Sequence, residues 1–150
     1  MLWHCSSRHR VFLPINFTWY PKILTPYVWM IIKQQSRQLK TVKQGQFLFD
    51  NIRIDGEREV KKVTHIFTAS INGWDAEDFH RHCDGRGPTL CLFRSSENYL
   101  AAVFTSVSWS SPESEDGMDV EDSSAMVFAL TNELQAFKTN SPKRAVYHNK

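Results

Sequence analysis

Residues 69–94, ASINGWDAEDFHRHCDGRGPTLCLFR, carry the signals for the start of a helix, for its end and for the strand that follows. Asp75 is predicted to cap the helix start, with Asp78 as its partner in an acidic capping box. Both carboxylates would then lie at the positive end of the helix dipole. Trp74 and Phe79 stand at the two positions whose side chains meet as a hydrophobic staple. We therefore predict a helix that begins directly after Asp75.

The same stretch predicts where this helix ends. After Cys83, an Asp-Gly pair offers a residue that tolerates positive φ, and the Gly-Pro pair at 87–88 prevents helical continuation. Residues 89–94 are apolar on both alternating faces, which is typical of a strand buried on both sides.

Outside this stretch the pattern is mostly that of β-structure. Strands are predicted at residues 63–69, 89–94, 99–109 and 125–131, with short edge pieces at Phe137 and at 146–147. The second and third should pair as an antiparallel hairpin, because turn-forming residues join them. The acidic run 113–122 cannot bury enough surface to order itself, so we predict an exposed, mobile loop there. Strands joined by hairpins, with helices outside, predict an antiparallel α+β fold.

The first 49 residues are predicted to form two segments that precede the domain. Residues 1–24 contain two prolines and no small-residue cleavage site, so we predict an irregular segment and neither a signal peptide nor a membrane anchor. Residues 25–49 are predicted to be a basic amphipathic helix and linker, with Thr25 as N-cap and Gly45 beyond the helix end. Such a helix could lie on an anionic membrane or on nucleic acid, or its apolar stripe could pack on the domain; packing is the commoner arrangement.

Length and composition place the chain among ordinary globular proteins with one domain, here assigned to residues 50–150. The net charge of +2 hides seven Lys or Arg and no acid before Asp50, and six acids and no base from Glu113 to Asp122. Neither charge run identifies a partner. The three cysteines lack the spacing of a disulfide framework, so we predict a reducing, cytoplasmic location.

Several separated motifs follow one another in a fixed order between residues 63 and 150. The motif residues are Ser70, Gly73, Trp74, Phe79, His80, Cys83, Asp84, Gly87, Pro88, Thr89, Thr105, Ser106 and Trp109. In type and order they resemble the N-terminal part of a TLDc domain, the module of the oxidation-resistance proteins. Because the motifs are several and separated, the resemblance is specific.

The TLDc resemblance implies a mainly antiparallel β-sandwich with flanking helices, which would be incomplete at the C-terminus. It also implies a non-enzymatic protein-interaction module associated with oxidative-stress resistance, with subunits of the vacuolar proton-pumping ATPase as partners. No nucleic acid partner, no membrane span and no cofactor are expected, and the oligomeric state stays open.

Residue types with catalytic or metal-binding chemistry are present, but no site is predicted from them. His80, His82 and Cys83 crowd together, yet on a helix they do not converge as three metal ligands. Cys83 at a helix C-terminus and Cys91 in an apolar strand are predicted to be inert thiols. Because no serine has a Gly-x-Ser-x-Gly environment, no catalytic residue is assigned. The alternative is an enzyme of unknown reaction in which Asp84 or His80 acts with acids in a C-terminal part of the domain that this chain lacks.

Overall fold

The computed structural model describes the backbone of residues 11–20 and 59–62, and all atoms of residues 39–52, 63–113 and 117–148. The strands are β1 (Val11–Tyr20), β2 (Glu59–His65), β3 (Thr89–Arg94), β4 (Leu100–Thr105), β5 (Met118–Val120), β6 (Met126–Ala129), β7 (Gln135–Lys138) and β8 (Val146–His148). The helices are α1 (Val42–Asn51), α2 (Ala69–Asn72), α3 (Ala76–Cys83) and a short 3₁₀ helix, Pro142–Arg144.

Six strands form one sheet in the order β2-β1-β3-β4-β6-β7, and β5 pairs with β8 in a second sheet of two strands. All named strand pairs are antiparallel. The predicted antiparallel α+β class is therefore confirmed. The predicted hairpin between 89–94 and 99–109 is present as β3 and β4.

Residues 1–24 were predicted to be irregular, and for the part that the structure describes this prediction is wrong. Val11–Tyr20 is a strand that lies between β2 and β3. Pro14 is accommodated because β1 pairs with β2 only from Ile15 onwards, so at Pro14 the strand has a partner only on its β3 side. A residue without an N–H is tolerated where one side of the strand is unpaired.

Helix α1 covers one face of the large sheet. Its capping box is complete. The Thr41 hydroxyl accepts from the backbone N–H of Gln44, and the side-chain oxygen of Gln44 accepts from the backbone N–H of Thr41. Leu48 is buried in the main core, and Phe47 packs edge-on against Phe128 at a ring-centroid distance of 6.3 Å. This helix buries the core-facing side chains of β3, β4 and β6.

The predicted end of the basic helix is wrong, because Gly45 lies inside α1 and is buried there. Glycine costs about 1 kcal/mol in a helix interior, and the burial of Leu48 and Ile52 on the sheet outweighs that cost. The predicted cap at Thr25 lies outside the described residues.

Helix α3 has the predicted bounds, but its start is built differently. Asp75 is the N-cap residue and makes no side-chain capping hydrogen bond. The Asp78 carboxylate forms an ion pair with Arg81 at 3.2 Å instead of returning to the cap. The Trp74 side chain is 44% exposed. Among the described residues, it does not belong to the hydrophobic cluster in which Phe79 packs. The predicted capping box and staple are therefore both wrong.

Two further predictions need correction. The strand expected over 63–69 ends at His65, because Thr68 begins the short helix α2. The acidic run expected to be a mobile loop contains β5, and its last residue, Asp122, is only 3% exposed. No helix in the described part of the chain is long and apolar enough to cross a bilayer.

Candidate functional site

Several of the motif residues meet where the end of α3 joins the loop that follows β4. Asp84 and Trp109 form a parallel bridge, and the Gly85 amide donates to the Trp109 carbonyl at 2.9 Å. Gly85 has a φ of +68°, the conformation predicted for the residue after the helix. The indole N–H of Trp109 donates to the Thr89 hydroxyl at 2.9 Å. Helix, strand and loop are thereby joined at one place.

An aromatic cluster lies beneath this junction. Phe79 packs edge-on against Phe67 at 5.7 Å and against Trp109 at 5.2 Å between ring centroids. Cys83 is fully buried in the same cluster. Burial, and secondly the Asp84 carboxylate, raise the pKa of the Cys83 thiol to about 12. Burial likewise raises the pKa of the Cys91 thiol. Both thiols are protonated at neutral pH, so desolvation is the main cause of the low reactivity that the sequence predicted.

His80 and Asp84 form the polar rim of the junction. One Asp84 oxygen lies 2.7 Å from His80 Nδ1, and the other accepts from the Ser111 hydroxyl at 2.7 Å. These residues line a shallow groove of about 670 Å³ together with Glu77 and Arg81. Because both oxygens of the Asp84 carboxylate are engaged, this carboxylate acts as an orienting group for the imidazole and the hydroxyl.

A second histidine, His148 of β8, lies on the other side of Trp109. Its ring is 5.9 Å from the Trp109 ring, and its Nδ1 is 2.6 Å from the Ser110 hydroxyl oxygen. The residue is 3% exposed, and its Nε2 has no hydrogen-bond partner among the described residues. Burial lowers the pKa of His148, the electrostatic interaction with His80 lowers it further, and Asp84 opposes the shift. The imidazole is therefore neutral at physiological pH.

Asp122 anchors the Thr105-Ser106 motif. Its Oδ2 accepts from the Thr105 hydroxyl at 2.7 Å and from the Ser106 amide at 2.8 Å. Its Oδ1 accepts from the Ser106 hydroxyl at 2.7 Å and from the Ser124 amide at 2.9 Å. Thr105 and Ser106 thus have a structural role that their sequence alone did not reveal.

The remaining motif residues have separate roles. Gly87 lies so close to the next loop that a Cβ there would meet the Ser108 amide nitrogen at 2.6 Å, and Gly73 has a φ of +115°. Ser70 and Trp74 are exposed, and Pro88 is half-buried beside Gly87. These positions shape the backbone or face the solvent and do not enter the His80 network.

The sequence did not identify Asp122, Ser110 or His148 as residues of the site. All three bond to residues at least 16 positions away, apart from the Ser124 contact of Asp122. A local pattern contains no signal for such contacts. Among the described residues, no group of three or more His, Cys, Asp or Glu side chains is placed to hold a metal ion.

On the side opposite α1, one half of the large sheet has an apolar face that none of the described residues covers. Val103, Val127 and Phe137 lie directly opposite one another on β4, β6 and β7, so their side chains share one face. Val127 is 44% exposed and Phe137 is 52% exposed, whereas Val103 is half-buried. We call these three residues the open face.

Comparison with known families gives one match, to the TLDc domain, over residues 22–150. The chain belongs to the TLDc family. The match begins well before the domain start that the sequence predicted at residue 50, and it takes in α1. Comparison with curated proteins and with solved structures found no match. In this TLDc chain the family motifs thus build the junction of α3, β3 and the Trp109 loop.

Proposed function

We propose that this TLDc protein is a non-enzymatic protein-interaction module of the cytoplasm that binds its partner through the open face. We further propose that it takes part in oxidative-stress resistance and that the partner is a subunit of the vacuolar proton-pumping ATPase. Membership of the TLDc family supports an interaction role in general. The observation that carries the proposal is the exposed Val127–Phe137 pair.

The open face has the features of the centre of a protein contact. Two large apolar side chains are exposed side by side on a rigid sheet, where no conformational ordering is needed before binding. Contiguous exposed apolar residues of this kind mark interaction sites more often than single ones do. Gln135 lies two residues before Phe137 and therefore on the same face of β7, where it supplies a polar rim.

The test is the binding of the full chain to purified cytoplasmic subunits of the vacuolar ATPase, measured by titration calorimetry. Phe137→Asp and Val127→Asp should each weaken binding about thirtyfold, since a central apolar contact is worth about 2 kcal/mol. Ile71→Asp is the matched control, because Ile71 is 80% exposed but lies on α2. An equal loss in all three variants, or no loss at Phe137, would refute the open face as the binding site.

A second candidate function is an enzyme, favoured by the hydrogen bond between His80 and Asp84. An imidazole held by a carboxylate is the usual arrangement of a catalytic base. Its remaining acid or base groups would come from outside the described residues. The variant His80→Gln separates the two functions. Under the interaction proposal it leaves partner binding and the protection of cells against peroxide unchanged, whereas an enzyme would lose the protection and keep the binding.

A further inference from the structure

The chain contains three Ser-Pro or Thr-Pro dipeptides, at Thr25, Ser111 and Ser141. Only the third is followed by basic residues, in the sequence Ser141-Pro142-Lys143-Arg144. Ser141 has an arginine three positions after it, whereas the same position after Ser111 is Ser114, within the acidic run. The three dipeptides therefore differ in the charge that surrounds them.

Ser141 is accessible in the folded protein. It is exposed, as are Lys143 and Arg144, and it lies in the connection between β7 and the 3₁₀ helix. Among the described residues, its hydroxyl contacts only the exposed side chain of Asn140, at a long distance of 3.4 Å, and it makes no capping bond. The oxygen is therefore free to react without loss of a buried interaction.

We propose that Ser141 is a phosphorylation site for a proline-directed protein kinase that requires a basic residue three positions after the acceptor. The γ-phosphoryl group of Mg-ATP is transferred to the Ser141 hydroxyl oxygen. The new bond joins that oxygen to phosphorus, and the bond from the β,γ-bridging oxygen to phosphorus breaks. The hydroxyl proton passes to the catalytic aspartate of the kinase, and ADP leaves.

Each part of the motif has a physical reason. Proline has no backbone N–H. A kinase site that offers no hydrogen-bond acceptor to the residue after the serine therefore accepts Pro142. It discriminates against other residues, because their N–H would be left unpaired. The guanidinium of Arg144 supplies the positive charge that such a kinase recognises with an acidic pocket. That group is well exposed, although it donates to Asp119 at 2.9 Å. An exposed ion pair of this kind is weak enough to exchange for a kinase contact.

The phosphate would also find partners in the protein. Phosphoserine carries a charge of about −1.5 to −2 near neutral pH. The ammonium of Lys143 and the guanidinium of Arg144 are two and three residues away. We expect the phosphate to draw Arg144 away from Asp119, which would loosen the link between the 3₁₀ helix and β5.

The experiment treats the full chain with a cyclin-dependent kinase and Mg-ATP and identifies the modified residues by mass spectrometry. We expect Ser141 to be modified at least about tenfold faster than Ser111, with no modification at residue 141 in Ser141→Ala. Arg144→Gln should slow the reaction about tenfold, and Arg144→Lys should preserve it. Asp119→Asn breaks the same ion pair without changing the motif, so it should leave the rate unchanged.

Two further outcomes would overturn the proposal. Equal rates at Ser111 and Ser141 would mean that the basic residues are not recognised. A folded chain that reacts more than about a hundredfold slower than a peptide of residues 136–148 would mean that the fold conceals Ser141, against its observed exposure. Circular dichroism of each variant identifies any rate change that is caused by unfolding.

Discussion

Replacement of Asp122 by alanine should lower the free energy of unfolding by about 4 kcal/mol. The carboxylate accepts four hydrogen bonds, and the two hydroxyl donors, on Thr105 and Ser106, can rotate toward other acceptors. The two backbone N–H donors, of Ser106 and Ser124, cannot rotate. Each would be left unpaired at a cost of about 2 kcal/mol, which gives the total. For a domain whose stability is about 5–15 kcal/mol, this loss is severe.

The asparagine variant refines this prediction. Asp122→Asn keeps the shape of the side chain but has one acceptor oxygen and one NH₂ group. Each carboxylate oxygen now serves one backbone N–H, so in either orientation one N–H of Ser106 or Ser124 must face the NH₂ group. We expect Asp122→Asn to lower the free energy of unfolding by about 2 kcal/mol, half the loss expected for Asp122→Ala.

Urea unfolding followed by tryptophan fluorescence and circular dichroism measures both losses. The matched control is Asp119→Ala, which removes an exposed acid of the same segment and should cost less than about 1 kcal/mol. If Asp122→Ala costs no more than this control, the inferred role of Asp122 as the anchor of the Thr105-Ser106 motif is wrong.

Three other predictions follow from the junction and from α3. Asp75→Ala should cost less than about 0.5 kcal/mol in the same unfolding assay, because the N-cap makes no side-chain hydrogen bond; a loss of about 1 kcal/mol would show that the bond forms in solution. Cys83, with a pKa of about 12, should react with iodoacetamide at pH 8 only when the protein unfolds, and rapid labelling of the native protein would contradict its burial. Burial lowers the folded pKa of His148 below its ordinary 6.5, so the unfolded chain binds more protons as the pH falls. Stability should therefore be complete above about pH 6.5 and decline between that pH and the lower folded pKa; a His148→Gln variant that keeps the same decline would assign it to another group.

The sequence predicted the elements whose causes are local. Helix α3 has the expected bounds because the Asp-Gly pair and the Gly-Pro pair act on their own backbone. The β3–β4 hairpin was predictable because a turn of five residues joins two apolar segments. The predicted capping box is absent because a flexible carboxylate can bind more than one partner, and the carboxylate of Asp78 pairs with Arg81.

The parts that the sequence did not reveal depend on contacts between distant residues. An acid in an acidic run is normally exposed, and only the meeting of Asp122 with Thr105 and Ser106 makes its burial favourable. Only half of the polar network was likewise predictable: His80 and Asp84 are four residues apart in the sequence, whereas Ser110 and His148 are 38 residues apart.

The central position of β1 has a consequence for how the chain folds. Val11 pairs with Arg94 and Ile15 pairs with His65, so β1 is synthesised well before both of its partner strands. A sheet with such distant pairings has a high contact order and folds slowly. A chain that begins at residue 22, where the family match begins, would lack this strand, and β2 and β3 would then expose edges on which other chains could assemble.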